Sequence, residues 1–201
     1  MYIPAEFKIE DMETITNFIK KHSFGIFITH GDVGLEATHL PFILKKDGNN
    51  LVLWGHLAKN NMQIEKSDKK GLIIFNGPDA YISPKWYNGK EAVPTWDYMT
   101  THLKGSIRPC SYKETMENLP ELLKFYEQDS DIPEKLNLPF YSGMSRAIKG
   151  FYFYTEEIET AFKLGQNHSK EDQKNVVSAL ANQNNECIEE MINVIEKDIF
   201  K

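Results

Sequence analysis

The chain has 201 residues, 41% hydrophobic and 26% charged, with a formal net charge of −6 and two arginines, Arg108 and Arg146. A chain of this length forms one large domain, or one domain with helical additions, and builds a core without metal or disulfide staples. Acidity and scarce arginine argue against a broad basic face for nucleic acid, and no apolar run reaches membrane-spanning length. The start, Met1-Tyr-Ile-Pro-Ala-Glu-Phe7, lacks the basic and apolar regions of a signal peptide. Cys110 and Cys187 lie far apart without CxxC spacing. A disulfide between them stays open, but reduced thiols in a cytoplasmic protein are the simpler expectation.

In chain order, Met12, Ile15, Phe18 and Ile19 fall at helical spacing within residues 10–22, with Asp11 available as a cap. Residues 23–29 and 34–45 read as strands joined by the turn His30-Gly-Asp-Val-Gly34, and Asp47-Gly-Asn-Asn50 turns into a third strand at 51–54. These predict a three-stranded antiparallel meander. A short polar helix is expected over 60–70 and a buried strand over 71–75, with further strand potential at 80–83 and 98–107. Residues 112–128 predict a helix interrupted or started near Pro120, and 129–139 a charged connection. A last strand spans 147–162, rich in aromatics at Phe151-Tyr-Phe-Tyr154. Residues 171–200 read as two helices divided at Asn182-Gln-Asn-Asn185. Six or more antiparallel strands with peripheral helices point to a small barrel, whose closure removes exposed edges.

The segment from Phe75 to Gly105 concentrates the aromatic residues. Pro84 and Pro94 each stand two positions before a tryptophan, Trp86 and Trp96, with Tyr81, Tyr87 and Tyr98 beside them. Proline fixes φ and extends the residue before it, so each indole is presented from a stiffened turn. An aromatic core or a subunit interface would use the same rings. Three polar clusters flank the segment: Ala37-Thr-His-Leu-Pro41, Gly55-His-Leu-Ala-Lys-Asn-Asn61 and Lys163-Leu-Gly-Gln-Asn167. Each alone reads as caps and turns. Together they supply cations, amides and hydroxyls for a phosphate, and rings for a flat heterocycle.

Six histidines are present, at 22, 30, 39, 56, 102 and 168, without HxH, HExxH or zinc spacing. No GxSxG, P-loop or GxGxxG occurs, so no metal ligand and no catalytic residue is assigned.

The chain resembles the PaiB-type family of FMN-binding split-barrel proteins, labelled negative transcriptional regulators or protease synthase and sporulation regulators. The resemblance rests on Met1-Tyr-Ile-Pro4 with Phe7, Ala37 to Pro41, Gly55-His56 with Ala58 and Asn61, and Gly77-Pro78 with Ala80 to Pro84. It continues through Trp86-Tyr87, Val93 to Trp96 with Tyr98, Lys163-Leu164 and Gln166-Asn167. It implies a mainly β, pyridoxamine-phosphate-oxidase-like split β-barrel with C-terminal helices. Residues 1–170 would form the FMN-binding domain with inserted helices, and 171–201 a helical extension packed on the barrel or the dimer. It implies a homodimer with flavin at the subunit interface. The implied cofactor contacts are Thr38, His39, His56, Lys59, Asn61, Lys163 and Gln166, completed or bordered by Ser83, Trp86, Tyr87, Thr95 and Trp96.

The family pattern carries arginine where Lys59 stands, serine at Gly165 and asparagine at Asp97. These departures remove a guanidinium fork and a hydroxyl and add a negative charge, so reduced FMN affinity is expected. Two other functional classes follow: a flavin-dependent oxidoreductase or reductase component, and a haem-handling split barrel resting on the histidines. A DNA or regulatory-protein partner is carried only by the family label.

Overall fold

The computed structural model describes all residues except Val33, Gly48, Asn49, Lys90, Glu91, Ser130, Gln183, Asn184, Asn185, Phe200 and Lys201, with backbone alone at Lys46, Asp47, Glu186, Cys187, Asp198 and Ile199. The first strand is β1 (Lys8–Ile9), followed by helix α1 (Met12–Lys21). Asp11 caps this helix by accepting the backbone N–H (2.8 Å) and hydroxyl (2.6 Å) of Thr14. Strands β2 (Phe24–Gly31), β3 (Gly34–Pro41), β4 (Ile43–Asp47) and β5 (Asn50–Ala58) follow. Helix α2 (Gln63–Lys66) leads into the long strands β6 (Ser67–Ile82) and β7 (Thr95–Pro109). Helices α3 (Tyr112–Tyr126), α4 (Ile132–Lys135) and α5 (Pro139–Ser145) precede the long strand β8 (Ile148–Lys163). The chain closes with α6 (Lys170–Ala181) and α7 (Glu186–Ile199).

The hydrogen-bonded strand order is β3-β2-β6-β7-β8-β5-β4, with β1 added on β8, and all the registered pairs are antiparallel. The expected mainly β fold with peripheral helices is therefore present. Its topology corrects the meander reading, because β2–β3 and β4–β5 are two hairpins at opposite ends of the strand order. The break falls at Pro41-Phe42. Proline offers no ladder donor, and the Phe42 N–H leaves the strand to donate to Ser23 O at 2.8 Å.

Three further expectations change. The polar helix shrinks to α2, because Ser67 Oγ caps the Ile64 carbonyl (2.8 Å) and Lys69 takes a left-handed φ of 65°. The strands expected at 71–75 and 80–83 are one strand, β6. The register of β6 with β2 ends at Ile74, so Pro78 is not asked for a bond to β2. Helix α3 runs unbroken through Pro120, and the connection expected after it contains α4 and leads into α5. The Asn182 to Asn185 boundary lies largely outside the described residues, as do parts of the turns at 30–34 and 47–50.

The chain divides into two compact units. The larger comprises residues 16–75 and 102–158, the smaller residues 1–15, 76–101 and 159–201. In the larger unit the core is built from alternate strand positions, with Phe27, Phe42, Phe75, Phe151 and Phe153 at or near zero exposure. Phe27 stacks on Phe151 at 4.7 Å, and Phe42 meets Phe75 and Phe151 edge-on at 5.7 and 6.0 Å. Fully burying one such side chain contributes about 1.5–3 kcal/mol. Gly55 lets β3 approach β5, since a Cβ there would meet Leu40 and Phe42 at 3.0 Å. A second cluster joins Trp54 and Ile43 to Leu119, Leu122 and Leu136.

In the smaller unit β1 pairs with the end of β8, Lys8 facing Ala161, and the Met1 ammonium contacts Glu159 at 2.5 Å. Helices α6 and α7 pack together, burying Val176, Leu180, Ile188, Met191 and Ile195.

Candidate functional site

The expected contacts divide between the two units. In the larger unit, strand alternation turns Thr38 to the protein side and His39 to solvent. Thr38 Oγ1 donates to Gln63 Oε1 (2.6 Å) and accepts from Asn61 Nδ2 (3.2 Å). Gln63, 1% exposed, uses its Nε2 to donate to Phe27 O (3.1 Å) and Glu36 O (3.2 Å). Its backbone N–H donates to Asn61 Oδ1 at 2.9 Å. One glutamine thus ties the start of α2 to β2 and β3 and fixes the rotamers of Thr38 and Asn61. His39 lies over Phe24, ring centres 6.3 Å apart.

His56 is half-buried and tilted on Trp54 at 5.8 Å. Its Nδ1 is buried without a hydrogen-bond partner among the described residues, and burial holds its pKa below the usual histidine range. Neutral imidazole is therefore favoured. Lys59 follows the end of β5, where its N–H donates to Ala147 O at 2.7 Å. Its side chain lines a cavity of about 600 Å³ whose other charged walls are Glu65, Arg146 and Lys149.

In the smaller unit the central pair is Lys163 and Asp97. Lys163 Nζ donates to Thr95 Oγ1 (2.6 Å), Trp96 O (2.5 Å) and Asp97 Oδ1 (3.3 Å), which occupies its three protons. Asp97 is 1% exposed; burial raises its pKa, against the opposing charges of Lys163 and His168. Tyr87 stacks on His168 at 4.4 Å and 19°. Burial, then the charges of Asp97 and Asp172, push the Tyr87 phenol up to about 12. Tyr87, Thr95, Asp97, Lys163 and His168 share a cavity of about 360 Å³.

Gly165 closes this cavity with φ of +72°, a left-handed conformation that glycine adopts without strain. A Cβ there would lie 3.7 Å from Asp97 Oδ2, so the Gly165 and Asp97 departures are neighbours in space. Gln166 is held at both ends, accepting from Leu164 N–H (2.7 Å) and donating to Phe162 O (2.5 Å). It lines a separate cavity of about 420 Å³. Ser83 caps the 3-10 turn Pro84–Trp86 by accepting the Lys85 N–H at 3.3 Å. Trp86 is half-buried, while Trp96 is 55% exposed and meets Tyr81 edge-on at 6.0 Å.

The structure thus groups Thr38 with Asn61 and groups Tyr87, Thr95 and Lys163. Lys59 and Gln166 line different cavities, and His39, His56, Ser83, Trp86 and Trp96 line none of these three. Gln63, Arg146, Lys149 and His168 adjoin these residues and were not among the contacts expected from the sequence, where Arg146 stood out only as one of two arginines and His168 as one of six histidines. Among the described residues no three His, Cys, Asp or Glu side chains converge as a metal site. No helix among them is long and apolar enough to cross a membrane.

A β-rich sheet with hairpins at the ends of its strand order, carrying polar strand-end clusters and stacked aromatics, defines a protein of the split β-barrel class. The profile of the family described as "Putative FMN-binding domain" matches residues 1–157, so the chain belongs to that family. Protease synthase and sporulation protein PAI 2 of Bacillus subtilis (strain 168) is 35% identical over 206 aligned positions, covering 100% of this chain and 99% of that relative. The PaiB-type resemblance read from the sequence is thereby borne out. Among solved structures, a conserved hypothetical protein from Mycobacterium tuberculosis covers 84% of this chain and 94% of its own, with TM-score 0.60 at 11% identity. The flavocytochrome Anf3 from Azotobacter vinelandii covers 78% of this chain and 69% of its own, with TM-score 0.59 at 12% identity. At such identities the likeness shows the fold.

Proposed function

We propose that this protein binds FMN as a homodimer and acts in regulation, the role attached to the PaiB-type family it resembles. The observation that carries the reading is a cation-lined cavity at Lys59 in a chain whose family profile is an FMN-binding domain. The residues present suit the group. Lys59 is exposed, with no ion pair among the described residues, and can neutralise a phosphate. In the smaller unit, taken by itself, Trp86 and Trp96 carry ring faces of the kind that pack on a flat heterocycle. Lys163 takes a different part, because its protons already go to Thr95, Trp96 and Asp97. It shapes a wall and compensates Asp97.

Bound flavin would supply hydride and one-electron chemistry. The chain's own share is charge, orientation and exclusion of water. The family match supports FMN over the haem reading. Regulation through a broad DNA-binding face has little support. The net charge is −6, and Arg108 is held by Glu114 (2.8 Å) and Tyr154 (3.4 Å). Regulation is proposed to run through a partner protein or the flavin state, in a cytoplasmic setting.

The test is a flavin-fluorescence titration of the purified protein with FMN, alongside light scattering. The expected result is saturable binding by a dimer, weakened in Lys59→Ala without loss of the dimer. Wild-type protein that leaves FMN fluorescence and its visible spectrum unchanged up to high micromolar protein would refute the reading.

A further inference from the structure

We infer that the cavity at Lys59 is a phosphate-monoester pocket in which Arg146 and Lys149 share recognition with Lys59. The register of β5 with β8 sets this up. Leu57 pairs with Lys149 and Ala58 with Ile148, and the next bond, Lys59 N–H to Ala147 O at 2.7 Å, continues the ladder. Lys59 and Lys149 therefore stand on one face of the ribbon, two positions apart along it. Arg146 ends α5 on the opposite side of Ala147, anchored by its N–H to Gly143 O at 3.3 Å. Lys59, distant in sequence, thus meets the neighbouring cations Arg146 and Lys149 around one cavity of about 600 Å³ in an acidic chain.

The balance of charge points to a dianion. The single carboxylate in the lining, Glu65, takes Lys149 at 2.6 Å and leaves the equivalent of two positive charges. Cys110 stays a neutral thiol, because burial raises its pKa to about 11. The hydroxyls are already engaged: Tyr112 with Ser145 (3.0 Å), and Thr115 with Ser111 O and Gly150 N–H (both 3.0 Å). Recognition therefore falls to the charges. Lys59 and Arg146 stand exposed at the mouth, while the Lys149 side chain is 18% exposed. Unlike Arg108, Arg146 has no ion pair or side-chain hydrogen bond among the described residues, so its planar fork is available for bidentate contact with phosphate oxygens. The apolar lining, including Ile64 and Ile148, suits the carbon skeleton that carries the phosphate.

The pocket stands on this geometry. Its assignment to the phosphate of FMN rests on the functional reading above. The test titrates wild type, Arg146→Gln and Arg146→Lys with FMN and with riboflavin, which lacks the phosphate. Arg146→Gln should bind FMN roughly ten- to hundredfold more weakly, the loss of a hydrogen bond to a charged group. Arg146→Lys should lose less, and riboflavin affinity should not move. Equal FMN affinity in Arg146→Gln and wild type would overturn the inference while leaving FMN binding intact. A parallel fall in riboflavin affinity would also overturn it, since the arginine would then support the structure and not the phosphate. If wild type binds neither flavin, the FMN reading fails and inorganic phosphate decides the pocket. A rise in melting temperature with phosphate in wild type but not in Arg146→Gln would uphold it for another phosphorylated small molecule. No rise, or an equal rise in both, would overturn it.

Discussion

Two buried polar side chains decide how the candidate site is held. Gln63 satisfies two backbone carbonyls and the Thr38 hydroxyl from a fully buried position. Gln63→Ala should destabilise by roughly 2–4 kcal/mol in urea unfolding, because those carbonyls would lose their partner out of reach of water. Lys163 is the charge partner of buried Asp97. Lys163→Met should cost roughly 2–4 kcal/mol, discounted for partial exposure of the lysine, and adding Asp97→Asn should restore most of it. The pH dependence has a definite sign. Asp97 has a raised pKa when folded, so its contribution is most favourable below its unfolded value and is lost as pH rises through the folded one. The Lys163→Met deficit should therefore shrink on acidification; a deficit that grows instead would contradict the assignment. Gln63 was not singled out in the sequence, and Asp97 and Lys163 stood there as a departure from the family pattern and an implied flavin contact, not as a buried ion pair. A glutamine in a polar stretch and an aspartate between aromatics show nothing of burial until the strands bring partners to them.

At the scale of elements, α3 shows local signals at work. Ser111 and Glu114 form a capping box, with Ser111 Oγ accepting the Glu114 N–H (3.2 Å) and Glu114 Oε2 accepting the Ser111 N–H (2.8 Å). Ser111→Ala should cost about 1 kcal/mol. The Ser111 N–H, then Arg108 and the Ser111 hydroxyl, hold the Glu114 pKa down to about 2. A depressed carboxylate stabilises above its unfolded pKa and loses that effect as pH falls toward the folded one. Melting temperature should thus fall between about pH 4.5 and 2 in wild type and less steeply in Glu114→Gln, as thermal melts across that window would reveal. Strand β7 carries the opposite kind of constraint. A Cβ at Gly105 would lie 2.1 Å from Tyr154 O on β8, a backbone atom that cannot move alone. Gly105→Ala should therefore cost about 1–3 kcal/mol or more, visible as a lowered urea midpoint.

For the whole molecule, the question is what the barrel presents to its ligand. The departures at Lys59, Gly165 and Asp97 fall in two places in the structure. Gly165 and Asp97 adjoin each other beside Lys163, and Lys59 lies in the cavity that also holds Arg146. A loss of FMN affinity in Lys59→Ala without a change in melting temperature would separate ligand binding from folding, since Lys59 is exposed and, among the described residues, only its backbone is bonded.

Alternation of apolar residues, turn chemistry and proline spacing were enough to give the β-rich class, most strands and the terminal helices, because those signals act between residues near in sequence. The family blocks gave the kinship for a related reason: short motifs in a fixed order survive without knowledge of their contacts. Strand order was out of reach, since whether β4 pairs with β3 or passes to the far end of the order depends on long-range packing at Phe42 and Gly55. So was the grouping of the site. Thr38 with Asn61 and Gln63, Lys163 with Asp97, and Lys59 with Arg146 become neighbours only when strands distant in the chain fall into register. Charge pairing and burial act through space, and the tertiary structure alone decides which charges are paired and which remain available to a ligand.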